Sequence, residues 1–211
     1  MRIGQVAHRY LPSIGGIENY VYRLARDLSQ GGHSVEIFTT TPDPSQTPAG
    51  VGVHSVNAIL PGSTNPIPIG LFKLLRASNL DLVHFHSPWY MTSILPLLRD
   101  FRPPAVMTVH GLLPERRSTL RDIALGLLYA PALNALRKCS AVVTLTPRET
   151  RRLERLFPIA SDKLHTIPNG IDPDCCERAG RTRRRSVSFQ GSQRTSSRRG
   201  ALPGTVVLST T

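Results

Sequence analysis

The stretch Arg2–Thr40, RIGQVAHRYLPSIGGIENYVYRLARDLSQGGHSVEIFTT, decides the fold. It begins with a short apolar run, Arg2–His8, that predicts a strand. A glycine pair, Gly15–Gly16, then leads into Ile17–Gln30, where Ile17, Tyr20, Val21, Leu24 and Leu28 recur at spacings of three and four. That is the period of one helical face. Gly31 and Gly32 stop the helix, as glycine does past a last helical turn, and Ser34–Thr40 (SVEIFTT) predicts a second strand. A strand, a glycine turn, an amphipathic helix and another strand make a crossover unit with parallel strands.

The same alternation continues outward. Val51–Val56 predicts a third strand, and a Pro/Gly-rich connection, Pro61–Pro68, leads to a short helix around Ile69–Ala77. Further strands are expected at Asp81–His86 (DLVHFH), Ala105–His110 (AVMTVH), Ala141–Leu145 and Lys163–Ile167. Helices are expected at Tyr90–Asp100, at Ser118–Lys138 with a bend or break at Pro131, and at Arg148–Leu156 behind Pro147. The expected fold class is α/β: a doubly wound, Rossmann-like parallel sheet of about six or seven strands. The first and fourth strands are adjacent where the strand order reverses, and ligands bind beyond the carboxyl ends there.

The 211 residues are 40% hydrophobic, 19% charged and 6% aromatic, ample for a buried core. The longest apolar stretch, Ile123–Leu136, contains Pro131 and is too short to span a bilayer. The N-terminus has no apolar signal core, so a cytoplasmic location is expected. Three cysteines (Cys139, Cys175, Cys176) cannot build a disulfide framework or a four-ligand zinc site by themselves. The net charge of +12 is unevenly placed: residues 175–211 hold eight arginines, no lysine and one acid, Glu177. Such a segment, poor in aliphatics, is expected to be a disordered Arg/Ser-rich tail behind a domain of residues 1–174. The abrupt loss of lysine and the paired cysteines read as an out-of-frame continuation. A basic arm for nucleic acid or anionic membrane and a merely solvated tail are the alternatives.

At the strand ends, Gly15 and Gly16 precede a helix whose first amides can face an anion, with a diphosphate as the natural guest. Neither the G-x-G-x-x-G fingerprint nor the P-loop is present. Glu18 in the first turn either stabilises the helix end or accepts a hydrogen bond from a hydroxyl. His8, His84, His86 and His110 lie at or near the ends of three predicted strands, with His84 and His86 on one side of theirs. They read as neutral imidazoles lining a polar pocket, as packed structural residues, or as a zinc site for which no further ligand is evident. No nucleophile elbow or catalytic triad is found. Arg116, Arg117 and Arg121 beside Ile123–Leu136 leave open a peripheral membrane contact.

Four segments then resemble a known family: PSIGGIENYVYRLARDLSQGGHSVEIFT, DLVHFHSP, VMTVHG and SDKLHTIPNGIDPD. Together they are similar to the N-terminal half of family-4 glycosyltransferases of the GT-B architecture, over residues 1–174. The resemblance implies two Rossmann-like domains facing across a cleft. Sugar is transferred from a nucleotide-sugar donor to a glycan or lipid-linked acceptor, with retention and no metal or other cofactor. It implies that Gly15 and Gly16 approach the donor diphosphate and that His110 lines the donor-sugar pocket near the reacting centre. Glu18, Asn19 and His86 then belong to the acceptor side, and Asn169 and Gly170 to the interdomain turn. The family's basic pair and glutamates that hold the nucleotide sugar belong to the C-terminal domain, so this chain alone is expected to be nearly inactive. A non-catalytic module using the basic tail is the competing reading, and a metal-dependent hydrolase built on the histidines a third. Nucleic acid is not an expected partner of the first reading.

Overall fold

The structure is a computed structural model and describes residues 1–111 and 129–170. Residues Met1–Asn169 form one compact unit; the second unit, Gly170–Thr211, lies outside the described residues except for Gly170. The expected tail and the arginines beside Ile123 fall outside them too.

Nine strands are described: β1 Arg2–Ala7, β2 Ser34–Thr39, β3 Val51–Ser55, β4 Ala58–Ile59, β5 Ile67–Pro68, β6 Leu82–His86, β7 Ala105–Val109, β8 Ala141–Thr144 and β9 Leu164–Thr166. The helices are α1 Gly16–Gln30, α2 Leu71–Ala77, α3 Met91–Leu97, α4 Tyr129–Lys138 and α5 Pro147–Leu156. Seven strands make one sheet in the order β3-β2-β1-β6-β7-β8-β9, and every adjacent pair is parallel. The order reverses between β1 and β6, so the sheet is doubly wound with its switch point where the sequence places it.

Local chemistry accounts for the boundaries. α1 ends in a glycine cap: Gly32 takes φ +83, which glycine alone adopts without strain, and the His33 amide donates back to the Leu28 carbonyl at 3.1 Å. α5 starts on a capping pair, with the Glu149 amide donating to the Thr146 hydroxyl at 3.2 Å and Pro147 in the first turn. Pro131 lies within α4 as described, near its beginning.

The sheet's two faces differ. Val6, Val83, Phe85, Ala105, Met107 and Val109 lie in the larger apolar cluster, together with residues of α2, α3, α4 and α5. On the opposite face, Val35, Ile37 and Ala7 pack with Val21 and Ala25 of α1. That second cluster stops at β1.

Two expectations need correction. The helix of Tyr90–Asp100 is only Met91–Leu97, because Pro96 and the following Arg99–Asp100–Phe101–Arg102–Pro103 cannot sustain it. His8 and His110 sit one residue past their strands rather than ending them. Within the connection Pro61–Pro68, β5 pairs antiparallel with β4. Arg9 donates to the carbonyls of Gly62 (3.0 Å) and Ser63 (2.9 Å), while Asn65 bonds Trp89 O (3.0 Å) and the Met91 amide (2.8 Å). Long-range ties from single side chains to backbone leave no periodic trace in a sequence.

Phe85 is fully buried and meets Phe101 edge-on at 5.6 Å. Phe85→Ala is expected to cost about 3–5 kcal/mol in urea unfolding. Ile59→Ser, at a side chain 53% exposed, should change stability by less than about 0.5 kcal/mol.

Candidate functional site

Parallel pairing places Gln5 opposite His84 and His86 opposite Thr108. Gln5, His84, His86 and Thr108 therefore share the face on which α1 packs, and His110, two residues past Thr108, continues the row. Where the apolar cluster stops, a polar row begins. Gln5, His86 and Thr108 have no exposed surface.

A buried polar row is stable only if its members satisfy each other. His84 Nε2 lies 2.7 Å from the Thr108 hydroxyl. His86 Nδ1 is 3.2 Å from His110 Nε2, and its Nε2 is 3.2 Å from Gln5 Oε1. Tyr20, one turn into α1, presents its ring edge-on to His110 at 4.8 Å and to His86 at 5.7 Å. The helix beginning at Gly16 and the imidazole after β7 thus meet at one rim of the sheet.

Burial keeps these imidazoles neutral. It lowers His110 to about 4, and it lowers His84 to about 4 with help from His110. His86 falls well below its ordinary value, first through burial and then through the neighbouring histidines. His8 is lowered to about 4 by burial, then by Arg9 and His110. Its ring stacks on Tyr90 at 3.5 Å, and its Nδ1 is buried without a hydrogen-bond partner among the described residues. A row of uncharged rings gives and accepts hydrogen bonds without presenting a cation. Among the described residues no group of three His, Cys, Asp or Glu side chains is arranged to hold a metal ion.

The helix start carries two further constraints. Gly15 is the residue capping α1, in an extended conformation open to any residue, so its backbone does not demand glycine. Its neighbour does: a Cβ there would collide with the Glu18 carboxylate, which folds back over the helix start and is almost fully buried. An acid at that position also complements the helix dipole. Gly16, by contrast, faces open space. Asn19 is exposed and donates to the Gly15 carbonyl at 2.9 Å. At the rim, Ser87 is buried with φ +72, a conformation costly for a residue with a side chain. Gly111 (φ +85) turns the chain directly after His110, and its carbonyl accepts from Trp89 Nε1 at 3.0 Å.

Of the residues picked from sequence, His86 and His110 stand in hydrogen-bond contact. Gly15, Gly16 and Glu18 stand together at the start of the helix that meets them. Asn169, past β9 at the edge of the sheet, and Gly170 are exposed. Gln5, Thr108 and Tyr20 were missed. Gln5 had one signal, a lone polar residue inside an otherwise apolar strand.

Fold and rim together define a Rossmann-like domain with a polar site at its switch point. The chain belongs to Glycosyltransferase Family 4, whose model matches residues 14–175. A D-rhamnosyltransferase of Pseudomonas aeruginosa is 25% identical, over 82% of this chain and 46% of its own length. A GDP-mannose-dependent alpha-mannosyltransferase of Mycolicibacterium smegmatis is 32% identical, over 42% of this chain and 26% of its own. Among solved structures, a sucrose-phosphate synthase from Thermosynechococcus elongatus shares the fold with a TM-score of 0.64 at 19% identity. That match covers 81% of this chain and 48% of the synthase. The chain thus spans about half the length of the relatives that it matches along most of its own.

Two outcomes follow from the geometry. In the folded state His8, His84 and His110 bind protons only near pH 4, whereas unfolded histidine binds them near 6.5. Between those values the unfolded chain holds more protons, so stability rises with pH there and is lost as pH falls toward 4. Thermal melts from pH 7 to 4 should show that decline, and His110→Asn should flatten it. Gly15→Ala should cost about 1 kcal/mol in urea unfolding by expelling the Glu18 carboxylate, and only a few tenths in a Glu18→Ala background.

Proposed function

We propose that this chain is the acceptor-side half of a retaining glycosyltransferase that moves a sugar from a nucleotide-sugar donor to a hydroxyl of a glycan or lipid-linked acceptor. One observation carries the reading: the glycine-led start of α1 and His110 share a rim, joined through Tyr20 at 4.8 Å. Breaking the sugar–phosphate bond develops positive charge on the sugar and negative charge on the departing diphosphate. Free amides at the start of α1, around Gly15 and Gly16, suit the diphosphate. A neutral His110 suits the other end, because an imidazolium beside a developing cation would raise the barrier. Relatives among the GDP-mannose-dependent alpha-mannosyltransferases support a nucleotide-sugar donor.

Glu18 and Asn19 flank the acceptor side in this reading, His86 backs His110, and Asn169 and Gly170 form the turn toward a second domain. The Glu18 carboxylate lies over the helix start, so a diphosphate there approaches Gly16, the open side, rather than Gly15. The electrostatic groups that bind most of the nucleotide sugar belong to the other domain in the family that this chain resembles. The isolated chain is therefore a weak binder with little or no turnover.

Titrating the purified 211-residue chain with GDP-mannose should shift backbone resonances of Gly16, Tyr20 and Gly111, with a dissociation constant on the order of millimolar. Sugar release or transfer should stay at background. Shifts confined to residues far from that rim would sink the site assignment, and measurable transfer without a partner would sink the claim of dependence on a second domain.

A further inference from the structure

Gln5 is a member of the polar row that the proposed chemistry does not use. It lies fully buried in the middle of β1, on the face where its neighbours Ile3 and Ala7 are apolar. Burying an amide there costs desolvation, and its Nε2 has no hydrogen-bond partner among the described residues. The bond that its other end does make is to His86 Nε2, at 3.2 Å.

That bond has a consequence two residues away in space. A neutral imidazole carries one N–H, so its two nitrogens must play opposite roles. Because Gln5 Oε1 can only accept, His86 donates from Nε2 and is bare at Nδ1. His110, 3.2 Å from that bare Nδ1, must then donate from its own Nε2. Its proton is thereby spent, and its Nδ1 is bare. No described residue hydrogen-bonds that atom. With the amide turned over, every step reverses, and His110 carries its proton on Nδ1 instead. The direction with Gln5 Oε1 toward His86 gives both rings the tautomer that a free histidine side chain prefers, which favours it over the reverse.

We propose that Gln5 is a positioning residue: through His86 it sets the tautomer of His110, so that the rim offers a hydrogen-bond acceptor rather than a donor at His110 Nδ1. The matching ligand group is a hydroxyl that donates, and this last step rests on the function proposed above. The sugar-facing polarity is thus set by a residue in the centre of the sheet, out of reach of any ligand.

The test reads the tautomers directly. Proton–nitrogen correlation spectra of the full chain carrying nitrogen-labelled histidine, at pH 7, distinguish a bare ring nitrogen from a protonated one. Both His86 and His110 should be protonated at Nε2 and bare at Nδ1. In Gln5→Met, which keeps the shape and removes the acceptor, the His110 Nδ1 signal should move toward the average of the bare and protonated positions. Gln5→Glu, in its ionised form beside a neutral His86, accepts only and should restore the wild-type position. A wild-type His110 protonated at Nδ1 overturns the proposal, whether or not either variant folds. So does an unmoved His110 signal in a Gln5→Met chain whose His84 and backbone spectra show an intact fold. A separate titration with GDP-mannose should move the His110 Nδ1 signal in wild type and bind at least about tenfold more weakly in Gln5→Met. If the tautomers are as stated and GDP-mannose leaves His110 untouched, the relay stands and the sugar-transfer reading falls.

Discussion

The pairing of β1 with β6 is the constraint on which the site depends. With Gln5 opposite His84, alternate residues of three neighbouring strands fall on one face as a polar row, and the residues between them fall on the other as the larger core. A shift of one residue in that register would send imidazoles into the apolar side and leave Val83 and Phe85 on the α1 side. Both faces penalise that error, so the register is doubly specified. The same pairing puts the switch point of the sheet beside the polar row.

Neutrality of the row follows from where it sits. The rings are withdrawn from water, crowded by one another and balanced by no carboxylate among their hydrogen-bond partners. Each of these conditions disfavours the protonated form, and together they leave a chain of hydrogen bonds whose direction is open to control by its terminal acceptor. The arrangement suits a reaction in which the positive charge should develop on the substrate and not on the protein.

The helix start is shaped by a different balance. Glu18 turns back over Gly15 and supplies the negative charge that free amides attract, while Gly16 stays open. Arg9 and Asn65 fasten the β4–β5 segment to the backbone around the ends of β1 and β6, so the rim is bordered by ordered chain rather than by a loose connection.

The helix and strand sequence was legible from Arg2 onward because it is written in local periodicity: the three-and-four spacing of α1, the glycines after it and the short apolar runs. The histidines at the strand ends were legible for the same reason, since position along a strand is a local property, and the family resemblance lay in contiguous segments. Gln5, Thr108 and Tyr20 were not legible as site residues. Their role is to meet His86, His84 and His110 across strands separated by dozens of residues, and no spacing in the chain encodes that meeting. The burial of Glu18 was hidden too, because an acid in the first turn of a helix is ordinarily a solvated one. Sequence determined which elements form and what chemistry they carry; tertiary structure decided which polar groups share a buried face, because only folding removes the water that would otherwise satisfy each of them alone.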